Sequence, residues 1–166
     1  MRRVPQDRFT TNAVFFVTMT VEGRREVFRS IEAAQVVTDS LTFFCRRRET
    51  EMIGYAVMPD HVHVLLRLRP PLTLPNWVRR FKTFTTRSLG GCHVWQSGYW
   101  SEVVATEWFV REKLTYIHNN PVRAGLVDDP AAYPLSSARE YESGAWNMVT
   151  PYWDVDMECS GAEPAA

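Results

Sequence analysis

The sequence predicts a mixed α/β (α+β) domain, and three observations carry that prediction. Residues 12–21 form a run of β-branched and aromatic side chains. Residues 51–57 and 61–68 are two more such runs, separated only by Met58-Pro59-Asp60. Around them, apolar residues recur at helical spacing over 31–48, about 73–89 and 106–119. A chain of 166 residues is long enough to bury one substantial core. The expected organisation is a single domain over residues 1–152, followed by an acidic, disordered tail over 153–166.

Each element has its own local reason. The first strand, 12–21, runs into Glu22-Gly23-Arg24-Arg25, a turn. Ser30 can cap a helix that turns Ile31, Ala34, Val37, Leu41 and Phe44 to one side. That helix ends in Arg46-Arg47-Arg48, cations that complement a helix C-terminus and could equally meet DNA. Pro59 pre-sets a tight turn, so strands 51–57 and 61–68 form a hairpin, which Pro70-Pro71 ends. Thr73 or Asn76 can cap the next helix. It carries Trp77, Phe81 and Phe84 together with Arg79, Arg80, Lys82 and Arg87. Such a mixture serves either as a core stripe with solvated cations or as a nucleic-acid groove of stacking rings and phosphate partners. Gly90-Gly91 ends this helix, and an aromatic loop, 94–100, leads into a short strand near 100–104. Thr106 caps the last long helix, with Trp108, Phe109 and Leu114 expected to face inward and Pro121 to stop it.

Composition narrows the class. Hydrophobic residues make up 45% of the chain and charged residues 23%, ordinary values for a soluble globular protein. No apolar run is long enough to cross a bilayer, and the first residues lack the pattern of a signal peptide. Cys45, Cys92 and Cys159 are odd in number and scattered, without disulfide or metal spacing. A reducing, cytoplasmic setting away from membranes is expected. The net charge of zero conceals a division. Residues 1–90 hold 15 Lys and Arg against 8 Asp and Glu, whereas residues 91–166 hold 4 against 11. Either a basic face adjoins an acidic segment, or the charges interleave in space and cancel.

The chemistry concentrates at two places. Strand periodicity puts His61, His63 and Leu65 on one face and Val62, Val64 and Leu66 on the other. Two imidazoles side by side are a partial chelate for a divalent metal, or else two hydrogen-bonded histidines of a half-exposed strand. In the last long helix, Tyr116 and Asn120 are four residues apart and so share a face. Asn120 offers a hard carbonyl ligand, and Tyr116 a phenol oxygen able to attack phosphorus. His118 points elsewhere. Read singly, Tyr116 can be a packing residue and Asn120-Pro121 a helix stop.

Taken in order, these residues resemble a known family. The order is His-Val-His after Met-Pro-Asp, then Phe81-Lys-Thr-Phe-Thr85, Trp95-Gln-Ser-Gly-Tyr-Trp100 and Tyr116-Ile-His-Asn-Asn-Pro-Val-Arg-Ala-Gly-Leu-Val127. It is similar to that of the single-tyrosine HUH transposases, most of all the REP-associated tyrosine transposase branch. Tyr133-Pro-Leu-Ser-Ser-Ala-Arg139 fits the same branch, with Leu135 where Trp is expected; likewise Asp60 replaces the more usual Asn. The resemblance spans roughly residues 8–142. It implies a ferredoxin-like sandwich, with a central antiparallel sheet and helices mainly on one face. It implies Tyr116 as catalytic nucleophile, one Mg²⁺ or Mn²⁺ held by His61, His63 and Asn120, and cleavage of hairpin-bearing single-stranded DNA through a 5′-phosphotyrosine. The cations Arg79, Arg80, Lys82 and Arg87 are the expected DNA contacts, and the chain is expected to act as a monomer or homodimer. A non-catalytic hairpin-binding protein is the competing expectation.

Overall fold

A computed structural model describes residues 13–47, 50–91 and 93–155. Four strands form one antiparallel sheet: β1 (Ala13–Thr20), β2 (Thr50–Met58), β3 (His61–Leu68) and β4 (Trp100–Val103). Their order is β2-β3-β1-β4. The inner strands are apolar on both faces because both faces are covered. Phe15, Val17 and Met19 of β1, with Val62, Val64 and Leu66 of β3, belong to one buried cluster. Val14, Phe16 and Leu65 belong to another on the opposite side.

Two helices, α1 (Ile31–Cys45) and α2 (Leu74–Ser88), cover the first face. Ser30 caps α1 by accepting the Ala33 N–H, as expected for a serine at that position. Val37, Leu41 and Phe44 are buried, but Ile31 is 80% exposed. The buried stripe begins at Ala33 and Ala34, and Ile31 lies before it. In α2, Trp77 and Phe81 stack with ring centroids 5.2 Å apart and are fully buried. Thr73 takes the N-cap position, though its side chain makes no capping bond.

The opposite face receives α3 (Glu107–Arg123). Thr106 caps it, and Val110, Leu114, Ile117 and Pro121 are buried. That spacing corrects two expectations. Trp108 and Phe109 point outward, 66% and 43% exposed, because the inward stripe begins one residue later at Val110. Pro121 does not stop the helix. It lies inside the last turn, where it forgoes one N–H bond to the Ile117 carbonyl and buries its ring, and the chain continues to Arg123 before Gly125 (φ 68°) turns it away.

The approach of α3 depends on a β-bulge. The β2–β3 register shifts between Met52 and Gly54. A Cβ at Gly54 would stand 2.4 Å from Leu114 Cδ1, so the glycine leaves the space that this side chain of α3 fills.

The segment after α3 closes the β2 edge. Val57 N–H donates to the Leu135 carbonyl, Ser137 N–H to that of Tyr55, and Thr150 N–H to that of Met52. Tyr133 and Tyr141 donate their hydroxyls to the Val57 and Ile53 carbonyls. These bonds, with the short helix α4 (Ala138–Ser143), occupy groups that an open edge would offer to another chain. Of residues 153–155, expected to begin the disordered tail, Trp153 is exposed within a short 3-10 turn and Val155 is buried beneath α3. Residues 156–166 lie outside the described residues, as do Asn12, Arg48, Cys92 and Cys159. Among the described residues no helix is long and apolar enough to cross a membrane.

Two predictions follow from this packing. Gly54→Ala should lower stability by about 1–3 kcal/mol through overpacking. In a thermal melt, the double variant with Leu114→Ala should lose less than the two single losses added, since the second change removes the clashing methyl. His118 should act as an acid-sensitive pin. Its Nε2 lies 2.8 Å from Ser137 Oγ, and burial pushes its pKa down to about 4. The unfolded chain takes up that proton near pH 6.5 and the folded protein only near 4, so this contribution is whole above 6.5 and is lost as pH falls toward 4. His118→Gln should therefore flatten the fall in melting temperature between pH 7 and 4, worth up to about 3 kcal/mol. A wild-type-like slope in the variant would refute this role.

Candidate active site

The antiparallel register builds half of the site. His61 pairs with Thr20 and His63 with Thr18, so all four side chains face α3. The two imidazoles converge, with their Nε2 atoms 3.0 Å apart. Each Nδ1 is held from behind. His61 Nδ1 lies 2.5 Å from Asp60 Oδ1, and His63 Nδ1 lies 2.8 Å from Thr18 Oγ1. Arg24 donates to the other Asp60 oxygen at 3.1 Å. Burial raises the Asp60 pKa, but the hydrogen bonds from His61 and Arg24 outweigh it and hold the carboxyl below its usual range. An ionised carboxylate accepts a proton-bearing Nδ1 and so leaves the His61 Nε2 lone pair facing the site.

His63 is 4% exposed. Burial, aided by the neighbouring His61, pushes its pKa down to about 3, so it is a neutral imidazole at physiological pH.

Helix α3 supplies the other half. Asn120 reaches His63 Nε2 with its side-chain amide at 3.1 Å. One turn earlier, Tyr116 stands with its ring 5.5 Å from that of His63 and 5.9 Å from that of Phe16. It is 39% exposed, a wet position for a large ring, and the guanidinium of Arg123 lies 5.7 Å from its centre. These groups open onto a cavity of about 610 Å³ whose lining also includes Trp100, Lys113 and Arg24. Lys113 Nζ pairs with Glu102 at 2.8 Å and sits 5.4 Å from the Phe16 ring. Among the described residues no three His, Cys, Asp or Glu converge on one point. A metal here would therefore draw its third protein ligand from an amide, Asn120.

The remaining residues singled out in the sequence lie elsewhere. His118 faces Ser137 and Tyr141, away from the histidine pair. Arg79, Arg80 and Arg87 line a separate groove between α1 and α2, beyond the opposite sheet face. Lys82 is turned away from that groove. Its Nζ donates to the carbonyls of Gln96, at 2.9 Å, and Gly98, and burial lowers its pKa to about 8. It ties the aromatic loop to α2. Sequence reasoning missed Thr18, Lys113 and Trp100. Thr18 carries a readable signal, a polar residue on the same β1 face as Thr20 in an otherwise apolar strand. The roles of Lys113 and Trp100 emerge only from packing.

Comparison with known proteins gives this geometry its context. The chain is 26% identical over 153 residues to a Haemophilus influenzae protein classed with the REP-associated tyrosine transposases, covering 78% of this chain and 81% of that one. It is 24% identical over 137 residues to the REP-associated tyrosine transposase of Escherichia coli, covering 78% of each. A solved structure of a REP-associated tyrosine transposase bound to a REP hairpin shares the fold. Its TM-score is 0.74 at 22% identity, over 100% of this chain and 99% of that one. The family model described as "Transposase IS200 like" matches residues 10–120, well over half of the sequence. The chain belongs to the IS200-like transposase family.

Proposed function

We infer that this transposase nicks single-stranded DNA beside hairpins and transfers the strand through a 5′-phosphotyrosine on Tyr116. The observation that carries this reading is the convergence of His61 Nε2, His63 Nε2 and the Asn120 amide one helical turn from the exposed Tyr116. The solved relative's REP hairpin supports DNA of that shape as the partner.

The donor set fits one divalent cation. The two Nε2 atoms, 3.0 Å apart, and the Asn120 amide, 3.1 Å from one of them, converge closely enough to share one ion. The Asp60 carboxylate accepts the His61 Nδ1 proton and leaves that ring's Nε2 lone pair aimed at this point, and Thr18 holds the His63 ring from its Nδ1 side. A half-turn of the Asn120 amide brings its oxygen, an acceptor and ligand, to that point. His61, His63 and Asn120 would hold the ion, and two imidazoles suit Mn²⁺ better than Mg²⁺. Such an ion, when bound, polarises the scissile phosphate and stabilises charge on it.

The chain's own groups do the rest. Tyr116 Oη attacks phosphorus and gives its proton to water in the open cavity. The bond from phosphorus to the 3′ oxygen breaks, and that oxygen takes up a proton to leave as a free hydroxyl. The phosphotyrosine retains the ester bond energy, so a second 3′-hydroxyl reverses the step without a nucleotide cofactor. Lys113 and Arg24 line the cavity as cations for the flanking phosphates. Trp100, 47% exposed, offers a ring to an adjacent base.

Tyr116→Phe removes only the hydroxyl. It should abolish the covalent adduct with a labelled single-stranded hairpin on a denaturing gel while keeping DNA affinity within about twofold. An adduct with the Phe variant would rule Tyr116 out, and Tyr99 is the next candidate; binding by wild type without any adduct would leave a hairpin-binding protein. His61→Ala, His63→Ala and Asn120→Ala should each abolish or strongly weaken Mn²⁺ binding measured by calorimetry. Asp60→Asn should weaken it roughly 10–100-fold, the usual cost of losing a group that orients a ligand. Unchanged Mn²⁺ affinity in the three alanine variants would remove the metal assignment.

A further inference from the structure

The groove between α1 and α2 has no part in the chemistry described above. It is a cavity of about 280 Å³ lined by Phe43, Phe44, Phe84, Arg79, Arg80 and Arg87. Phe43 and Phe84, from different helices, lie parallel at an interplanar angle of 2° with centroids 5.5 Å apart. They are 45% and 42% exposed, although Phe44 beside them is buried. Two large rings held flat against each other yet left in water are not explained by the core, which Trp77 and Phe81 fill.

The surroundings are cationic. Arg80 sits 5.6 Å over Phe44 and Arg47 sits 5.5 Å over Phe43. No carboxylate is among the lining residues. Flat apolar rings beside guanidinium groups match a polymer that carries flat bases on an anionic backbone. An apolar protein partner would find the arginines unpaired, and duplex DNA alone would leave the rings unused.

The geometry points to a second DNA site in this groove, in which unpaired bases of a single strand stack on Phe43 and Phe84 while Arg79, Arg80 and Arg87 pair with its phosphates. The site rests on the reading of the protein as a single-strand DNA enzyme and adds to it. The strand is held on one face of the sheet and cut on the other, so bound DNA wraps round a sheet edge.

The test uses the full chain carrying Tyr116→Phe in metal-free buffer, so that failure to cleave DNA does not bear on it. The probes are a fluorescent oligothymidine of about 12 nucleotides, within the usual range of single-strand sites, and an abasic strand of equal length. Phe43→Leu with Phe84→Leu keeps apolar bulk but removes both rings. It should weaken oligothymidine binding roughly 5- to 100-fold, the range for losing a stacked base, and change abasic binding less than twofold. Arg79→Ala with Arg87→Ala should weaken both probes and flatten the salt dependence of binding. Melting temperatures confirm that the variants fold, and Phe84→Tyr, which retains a ring, should bind like wild type. Wild-type affinity for oligothymidine in the double Leu variant overturns the site. So does an equal loss for both probes, which would mean that the rings serve only to shape a phosphate site. Cleavage failing in wild type while the selective loss persists would overturn the enzyme reading and leave the groove standing.

Discussion

The site depends on α3 lying close against the sheet, where Gly54 leaves room for the Leu114 side chain. The β2 bulge turns Ile53 and Gly54 toward the helix, and Gly54 contributes no atoms there, so Leu114 settles onto backbone. That approach lets Asn120 reach His63 Nε2 at 3.1 Å from an element more than fifty residues away in sequence. The C-terminal segment reinforces it. Ser137 accepts the Tyr55 N–H and sits 2.8 Å from His118, so one hydroxyl joins β2, α3 and the start of α4. Helix position, and with it the placement of Tyr116, is therefore set by packing on the side of α3 remote from the cavity.

Within the cavity, charge is arranged by what lies behind the histidines. Asp60 and Thr18 occupy the Nδ1 side of each ring, leaving both Nε2 atoms directed inward. A buried neutral His63 is costly to protonate, and the same burial makes it a dependable electron-pair donor. Asp60 is chemically coherent as the partner of His61. Its carboxylate, pinned by Arg24, accepts the His61 Nδ1 proton and fixes the ring orientation.

A net charge of zero is compatible with DNA because one groove gathers arginines without a carboxylate in its lining. Arg79, Arg80 and Arg87 gather in the α1–α2 groove, on the face opposite the histidine cavity. Elsewhere carboxylates are used internally. Glu140 accepts three successive backbone N–H groups of residues 147–149, and Glu102 pairs with Lys113. Lys82, which looks like one more cation in the sequence, is spent on loop carbonyls.

The sequence by itself determined the elements and the chemical groups. Period-two alternation in His61–Leu68 put the imidazoles on one face, and the Tyr116–Asn120 interval put the phenol and the amide on one side of a helix. Both are consequences of backbone periodicity, which is local. The ends of elements followed less well. Pro121 lies inside α3 and Ile31 outside the core, since burial on a neighbouring element overrides a local stop signal or an apolar side chain. Only the tertiary structure decided that Thr18 backs His63, that Lys113 enters the cavity, and that Phe84 stays in water although Phe81, three residues away, is buried. Each of these depends on which strand is paired and how closely a distant helix packs. Those are properties of contacts between segments far apart in the chain, on which local periodicity is silent.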